Sequence, residues 1–315
     1  MKLARLYQRL GLPRIVKPIL RSLKDRHPLF HTLYHMEGLL PRLPNRPLHS
    51  RLPEVTPARG QRRYRVGFFL GCMMSQVLAD VSQATVNVLT RNGCEVVTPR
   101  GQWCCGAPHD DQGNKPKARE LARRNIDLFE RYPDLDVIVA DCAACAGMIK
   151  EYPHLLKDDP EYHPKAVAMA SRMRDVSEWL AEILDDSIPL APTGRTVTYH
   201  EPCHLANVQG IRQQPVKVLL SVPDLELRPL PDSTRCCGSA GIYNLTHPQM
   251  ADRLLEDKIN KVAATGANTV ITGNPGCLLQ LRFGVEERQL DVDVRHLTQL
   301  LEEAYERAAS SGDTR

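Results

Sequence analysis

The sequence predicts an α/β protein built from two tandem, pseudo-repeated cysteine-rich domains with parallel sheets, preceded by a basic helical extension. Short apolar segments alternate with longer amphipathic ones through most of the chain, which is the pattern of a parallel sheet with crossover helices. A set of cysteines recurs after about 132 residues, and such internal repetition indicates a duplicated unit. We therefore expect an extension at residues 1–62, a first domain at 63–190 and a second domain at 191–315.

The extension differs from the rest of the chain in charge. Residues 1–65 carry 15 Lys and Arg against 3 Asp and Glu, so this segment has a net charge of +12 and the remaining residues have −8. Residues 1–40 predict two short amphipathic helices, and the prolines between residues 41 and 57 predict a linker. A basic amphipathic segment suits an anionic membrane surface or an acidic partner. The alternative is packing against the acidic body of the protein itself.

The segments after the extension predict the same order of elements twice. In the first half we expect strands at 64–71, 93–97 and 137–140, and helices at 75–91, 116–132 and 176–184. In the second half we expect strands at 196–200, 225–230 and 269–272. We also expect three helices there: one that ends near residue 220, one at 248–264 and one at 294–308. Cysteines follow the carboxyl ends of predicted strands, where open parallel sheets bind their ligands. The pattern therefore predicts one site in each domain.

Each predicted site contains two adjacent cysteines followed by a glycine. Adjacent thiolates do not comfortably occupy two corners of one tetrahedral metal, but they can bind two different irons of a cluster. The glycine permits a positive φ that brings backbone N–H groups close to sulfur. The candidate ligands of the first set are Cys72, Cys104, Cys105, Cys142 and Cys145, and those of the second set are Cys203, Cys236, Cys237 and Cys277.

Zinc is the alternative to iron–sulfur clusters at these cysteines. Thiolates bind both, but zinc sites are usually built from paired Cys-x2-Cys hooks, whereas adjacent cysteines in both halves fit a cluster better. The second set has only four cysteines, with Gln280 where a Cys-x2-Cys pair would place its last ligand. We expect one cluster of the [4Fe-4S] type in each domain, with zinc as the alternative in the second. Cys94 lies outside both sets, and we expect it to be a buried core residue.

Several polar residues near the cysteine loops are candidates for secondary roles. Three histidines could donate to a sulfide or tune a potential, although a structural role is the simpler interpretation: His109, His200 and His204. Three further side chains could donate hydrogen bonds to sulfur: Ser239, Tyr243 and Asn244.

The chain lacks the motifs of several other functional classes. No glycine-rich segment matches a P-loop and no GxGxxG opens a helix after a strand, so we expect neither a nucleotide nor a flavin in this chain. Few aromatic residues interleave with the basic segment, which argues against nucleic-acid binding. The N-terminus does not match a signal peptide, and no stretch approaches the roughly 18 apolar residues of a membrane span. We expect a cytoplasmic protein whose ten cysteines serve metal or redox chemistry rather than disulfides.

The cysteine spacing resembles the cysteine-rich domain pair of the heterodisulfide reductase B-subunit superfamily. The halves read Cys72-x31-Cys104-Cys105-Gly106-x35-Cys142-x2-Cys145 and Cys203-x32-Cys236-Cys237-Gly238. Within that superfamily, residues 236–248 and the Gly-Asn-Pro-Gly-Cys run ending at Cys277 are most similar to the glycolate oxidase iron–sulfur subunits. The similarity extends from residue 1 to about residue 308. The chain departs from that family in having no ferredoxin-like C-x2-C-x2-C-x3-C-P run, with which the family usually begins.

The resemblance implies an iron–sulfur subunit of a 2-hydroxy-acid oxidase or dehydrogenase of the glycolate type. Such a subunit takes electrons from FAD in a partner subunit, where the substrate is oxidised, and passes them to a quinone or another acceptor. A separate ferredoxin-like chain would be a further partner, and residues 1–60 would offer a peripheral contact with the inner face of the cytoplasmic membrane. The alternatives are a thiol or disulfide reductase subunit of the heterodisulfide reductase type, and a zinc protein without redox function.

Overall fold

The computed structural model describes residues 2–184 and 187–312, and it confirms the predicted α/β class with two parallel-sheet cores and a helical extension. The strands are β1 (Val55–Thr56), β2 (Tyr64–Phe69), β3 (Cys94–Val97), β4 (Val137–Ala140), β5 (Met173–Asp175), β6 (Thr196–Tyr199), β7 (Glu226–Arg228), β8 (Thr269–Thr272) and β9 (Asp293–His296). The helices up to the end of the first sheet are α1 (Lys2–Arg9), α2 (Pro13–Leu23), α3 (Pro28–Gly38), α4 (Cys72–Gln76), α5 (Ala79–Arg91), α6 (Ala107–Asp111), α7 (Lys115–Glu130), α8 (Ala143–Lys150), α9 (Tyr152–Leu155) and α10 (Tyr162–Arg172). The later helices are α11 (Val176–Ile183), α12 (Gln213–Leu220), α13 (Tyr243–Thr246), α14 (Pro248–Thr265), α15 (Pro275–Glu287) and α16 (Leu297–Gly312). A 3-10 turn at Leu48–Ser50 and a π-helical turn at His204–Val208 complete the regular structure of the described residues.

Both sheets contain the same arrangement of four parallel strands. The order is β1-β3-β2-β4-β5 in the first sheet and β7-β6-β8-β9 in the second. β2 and β6 therefore occupy equivalent central positions, next to β4 and β8 respectively. The first sheet has an additional strand, β1, which pairs antiparallel with β3 at the edge. This duplication brings the carboxyl ends of equivalent strands to equivalent places in the two halves.

The structure corrects the predicted elements at several places. The sequence pattern does not predict β1, β5 or β9, because each has only two to four residues and the last two carry charged side chains. The helix predicted at 294–308 is wrong at its start, since residues 293–296 form β9 and α16 begins only at Leu297. The helix predicted at 75–91 is two helices, α4 and α5, which separate at Val77 and Leu78.

One apolar core extends through both sheets. The last helix, α16, packs against α5 of the first half, where Asn92 Nδ2 donates a hydrogen bond of 2.9 Å to Tyr305 Oη. In the same contact the hydroxyl oxygens of Thr85 and Thr298 lie 3.0 Å apart. Because buried polar groups of both halves satisfy each other, the two domains have a defined relative orientation. That orientation determines how the two sets of cysteines face each other.

The extension consists of three helices rather than the predicted two, and α3 packs against the second domain. Tyr34 and His35 of α3 are buried, and His35 Nε2 lies 2.8 Å from a carboxylate oxygen of Asp252 in α14. The side chain of Lys17 pairs with Glu286 at 2.5 Å. Packing of the extension on the acidic body is therefore confirmed for these contacts.

The first two helices leave much of their apolar surface in solvent. Leu3 in α1 and Ile15 in α2 are 82% and 62% exposed, and Leu10 in the segment between them is 65% exposed. Arginine and lysine residues are interspersed with these apolar side chains along α1 and α2. Among the described helices, none combines the length and apolar character that crossing a membrane requires.

Candidate metal centres

The cysteines of both sets stand where strands end and helices begin. Cys72 opens α4 three residues after β2, and Cys142 is the N-cap of α8 two residues after β4. In the second half Cys203 precedes the π-helical turn that follows β6, and Cys277 lies in the first turn of α15. Parallel sheets present their carboxyl ends as the ligand-binding edge. The structure therefore places these cysteines at the edges that the sequence pattern indicated.

The glycine after each cysteine pair has a conformation that other residues rarely adopt. Gly106 has φ = +99° and Gly238 has φ = +95°. In this conformation the backbone N–H of Gly106 donates to Cys104 Sγ at 3.4 Å, and that of Gly238 donates to Cys236 Sγ at 3.3 Å. A Cβ on Gly238 would also lie 2.5 Å from the backbone oxygen of Ala251. Both the positive φ and the close packing require glycine here.

All nine cysteines of the two sets line a single cavity of about 450 Å³ between the two domains. The extension closes part of its rim with residues from the end of α3 and the following segment: Met36, Leu39, Leu40 and Pro41. Cys94 is buried in β3, outside this cavity, as expected for a core residue. The sequence predicts two separate sites, whereas the structure joins the two sets across one interface.

The thiols within each set are crowded, and their pKa values reflect this. Hydrogen bonds from the thiols of Cys105 and Cys72, together with the Gly106 N–H, lower the pKa of Cys104 to about 2. Cys203, Cys237 and the Gly238 N–H lower the pKa of Cys236 to about 2 in the same way. The pKa of Cys277 in the second set is also well below its ordinary value, because the thiol of Cys237 and the side chain of His200 hydrogen-bond to it. Each set therefore contains at least one thiolate that its own neighbours stabilise. Thiolates are the form in which cysteine binds metals.

Asn274 connects the two sets of cysteines. Its side-chain oxygen accepts a hydrogen bond of 3.1 Å from the backbone N–H of Ala144, at the start of α8, and lies 3.9 Å from Cys142 Sγ. Its amide nitrogen lies 3.8 Å from Cys277 Sγ, within hydrogen-bond range for sulfur. The backbone N–H of Ala143 also donates to the oxygen of Gly273 at 3.1 Å. These bonds join the N-termini of α8 and α15 across the domain interface.

The structure corrects the alignment of the two halves at their last cysteines. β4 begins at Val137 and β8 at Thr269, 132 residues later, and the same offset relates Cys145 to Cys277. Cys142 then corresponds to Asn274, and both residues are helix N-caps. The interpretation of Gln280 as the replaced ligand is therefore wrong. Applying the 132-residue repeat strictly to the sequence would have identified the correct position.

Gln280 itself lies one helical turn beyond Cys277 and does not line the cavity. It is fully buried, and its side-chain oxygen accepts a hydrogen bond of 2.8 Å from Asn244 Nδ2. Asn244 and Ser239 do line the cavity. Tyr243 stacks on His247 with ring centroids 4.4 Å apart, which supports a packing role for this tyrosine.

The histidines singled out in the sequence have different positions. His204 lines the cavity, and its Nδ1 lies 3.6 Å from Cys203 Sγ. His200 also lines it and is buried, and its ligand atom lies within 4.8 Å of the sulfurs of Cys237 and Cys277. His109 lies on α6 and is not among the residues that line the cavity. Sequence spacing alone does not distinguish these three, because burial and direction depend on the tertiary fold.

The donor set is that of a soft metal or an iron–sulfur centre. All ten cysteines are free thiols, including the crowded ones. In each set, four or five thiols from strand ends lie near backbone N–H donors in a cavity with mostly apolar walls. Hydrogen bonds to sulfur and exclusion of solvent set the reduction potential of such centres. The residues present therefore fit one cluster in each set.

Comparison with known proteins agrees with this chemistry. The family model described as "Cysteine-rich domain" (CCG) matches residues 66–150 and 197–282. The chain is 38% identical to the "Probable glycolate oxidase iron-sulfur subunit" of Bacillus subtilis over 304 residues, which are 95% of this chain and 67% of that protein. It is 32% identical to the "Lactate utilization protein A" of Oceanobacillus iheyensis over 75% of this chain and 96% of that protein.

Among solved structures, a glutamate racemase isoform from Bacillus anthracis aligns with 79% of this chain and 81% of its own chain, at 8% identity and a TM-score of 0.30. A TM-score this low supports no inference. The two matches to the family model instead cover both sheets and both cysteine pairs. The chain therefore belongs to the CCG cysteine-rich domain family, with two copies of the domain in tandem.

Proposed function

We propose that this chain is the iron–sulfur electron-transfer subunit of an oxidoreductase complex that oxidises a 2-hydroxy acid of the glycolate or lactate type. The observation that carries the proposal is the single cavity lined by nine free cysteines from two equivalent domains. The names of the relatives supply the substrate class, since one is a glycolate oxidase iron–sulfur subunit and the other a lactate utilization protein.

Each set of cysteines would hold one [4Fe-4S] cluster, so that two centres lie side by side at the domain interface. The ligands of the first centre would be Cys72, Cys104, Cys105, Cys142 and Cys145, and those of the second would include Cys203, Cys236, Cys237 and Cys277. Bound clusters supply stepwise one-electron transfer. The protein contributes N–H donors to sulfur, apolar walls and a rigid interface that maintains the spacing of the two sets.

The flavin and the site of substrate oxidation would belong to a partner subunit that contains FAD. A separate ferredoxin-like chain is a second partner for this complex. It would supply the cluster motif that residues 1–315 do not contain.

The test is anaerobic purification of the full chain. We expect visible absorbance that bleaches on reduction, with iron and acid-labile sulfide in equal amounts, and reduction of the clusters by glycolate or lactate only after a flavin-containing oxidase subunit is added. Zinc in place of iron in both sets would overturn the proposal. Direct reduction of a disulfide substrate by the reduced chain, without electron transfer from the flavin subunit, would favour the reductase alternative.

We further propose that α1 and α2 bind the anionic inner surface of the cytoplasmic membrane. Several apolar side chains in these helices and in the short segment between them are more than half exposed although the helices are basic, among them Leu3, Leu10 and Ile15. Insertion of such side chains between lipids removes apolar surface from water, while lysine and arginine attract anionic headgroups.

Co-sedimentation with vesicles tests this contact. We expect binding to phosphatidylglycerol vesicles that weakens as salt is raised, no binding to phosphatidylcholine vesicles, and loss of binding in a Leu3→Glu, Leu10→Glu variant. Leu220→Glu is the matched control, because Leu220 is 59% exposed on the second domain. Equal binding of the two variants would refute the membrane contact, and so would a lack of binding by the unmodified chain.

A further inference from the structure

We propose that His200 supplies a nitrogen ligand to the second centre and takes the place of the fifth cysteine of the first set. This inference rests on the proposed function, because it presupposes a cluster at Cys203, Cys236, Cys237 and Cys277. It adds a residue of a different chemical type to one centre and makes the two centres unequal.

The imidazole of His200 is enclosed beside the sulfur atoms of the second set. Its exposed fraction is 1%, and within residues 2–184 and 187–312 the side chain of Cys277, itself a candidate ligand, is the group in hydrogen-bonding contact with the ring, so at least one ring nitrogen has no partner. A buried ring nitrogen without a partner is unfavourable, because it has lost its hydrogen bonds to water. A metal ion that accepts the lone pair of one ring nitrogen would satisfy that atom.

The imidazole of His200 lies close enough to two cysteine sulfurs to bind the same metal centre. Its ligand atom and the sulfurs of Cys237 and Cys277 all lie within 4.8 Å of one another. Cys237 and Cys277 are the counterparts of Cys105 and Cys145 in the first set, since both pairs are related by the 132-residue offset.

In the first set, the fifth cysteine, Cys142, lies next to the equivalent pair. Its thiol hydrogen-bonds with Cys145, and its charge acts on Cys105, so it borders the equivalent pair. His200 therefore borders, in the second half, the two cysteines that Cys142 borders in the first.

The two halves differ at two pairs of equivalent positions near these cysteines. Cys142 corresponds to Asn274, whose amide hydrogen-bonds across the interface to Ala144 and cannot provide a thiolate. His200 is the residue after β6, and its counterpart, three residues before Cys72, is Phe69, a buried core residue at the end of β2. The first half thus has Phe69 and Cys142, and the second has His200 and Asn274. The nitrogen donor appears in the half from which the fifth sulfur is absent.

His204 is the competing source of nitrogen, because its Nδ1 lies 3.6 Å from Cys203 Sγ. It is only partly buried, and it belongs to the π-helical turn after Cys203. His200 is the stronger candidate because it is fully enclosed and close to two sulfurs. The experiment below distinguishes the two.

A histidine ligand has a consequence for electron transfer. A neutral imidazole in place of a thiolate makes a centre less negative, which raises its reduction potential, as in clusters where histidines replace cysteines. We therefore expect the second centre to have the higher potential. An electron that reaches the shared cavity would reside on the second centre.

The test uses the full chain with its clusters and with histidine labelled with ¹⁵N. Pulsed spin-resonance spectra of the reduced protein should show a directly bound histidine nitrogen on one centre. The coupling should disappear in His200→Ala and His200→Cys and persist in His204→Ala. His27→Ala is the matched control for label content, since His27 is an exposed residue of the extension.

His200→Cys keeps the inference testable if the alanine variant loses its cluster. A cysteine there should retain the iron while the nitrogen coupling disappears and the potential of the second centre falls. Persistence of the coupling in His200→Cys, or its absence from unmodified protein that contains iron in both sets, would overturn the inference and leave the proposed function intact. A chain without iron would instead refute the proposed function.

Discussion

Asn274 should stabilise the interface between the two cysteine sets, and replacing it by alanine tests how the halves are joined. The substitution removes the acceptor of the Ala144 N–H, which is 3.1 Å away, and the amide N–H close to Cys277 Sγ. The neighbouring backbone bond from Ala143 to Gly273 remains. The variant therefore breaks the side-chain connection and leaves the main-chain one.

The expected loss of stability follows from the unpaired N–H group. A buried donor without a partner costs about 1–3 kcal/mol, and because the Ala144 bond is only partly buried, water recovers some of that loss. We expect a decrease of about 1.5 kcal/mol in the free energy of unfolding. For a chain of this length, that corresponds to a decrease of about 2 °C in Tm.

A second effect should appear in the redox titration. An N–H directed at a sulfur stabilises the reduced and more negative state of a cluster, so its loss should lower the potential of the second centre. Thermal unfolding of the anaerobic protein and a spectroscopic redox titration measure the two effects. The control is Asn207→Ala, which removes an exposed hydrogen bond from Arg212 at 2.9 Å. If Asn274→Ala matches the control in both Tm and potential, the interpretation of Asn274 as the connection between the sets is refuted.

Three further predictions concern single residues. Cys104→Ser should remove the first centre and about half of the iron, while the signal of the second centre survives. The control, Cys94→Ala in the same domain, should retain all the iron. Full iron content in the serine variant would exclude Cys104 as a ligand. Phe129→Ala removes a buried ring that is stacked on a second phenylalanine. The free energy of unfolding, measured in urea, should fall by about 3–5 kcal/mol. A fall of less than about 1 kcal/mol, well under that range, would contradict this packing. Burial raises the pKa of Asp175 to about 6, so the folded state favours its neutral form. Stability should therefore fall by roughly 3 kcal/mol as pH rises from the unfolded pKa of about 4 to 6. Asp175→Asn keeps an N-cap and should remove that dependence, and an unchanged pH profile would show that another group is responsible.

The sequence by itself determined the fold class and the chemical nature of the site. The four central strands β2, β4, β6 and β8 are short runs rich in apolar and β-branched residues, which a parallel sheet buries on both faces, so their pattern is visible without tertiary information. Cysteines directly after such strands must lie at one edge of each sheet. The glycine after each cysteine pair likewise has a local reason, namely a positive φ that directs its N–H at sulfur.

Only the tertiary structure decided what depends on contacts between distant residues. The edge strands β5 and β9 are short, partly charged segments that become strands because β4 and β8 offer them hydrogen-bond partners. The assignment of Gln280 failed for a related reason. Cys277 is equivalent to Cys145 because the starts of β8 and α15 match those of β4 and α8. Its spacing from the cysteine pair does not show this equivalence.

The joining of the two sets in one cavity has the same physical origin. Nothing in the local pattern requires the strand ends of one domain to face those of the other. That arrangement follows from the packing of α16 on α5 and from the bonds of Asn274 and Gly273 to α8, which join residues more than 100 positions apart in the chain. The placement of His200 against Cys237 and Cys277 is also a matter of side-chain direction within a packed core. Local sequence thus determined which residues end each strand, and long-range packing decided which of them meet.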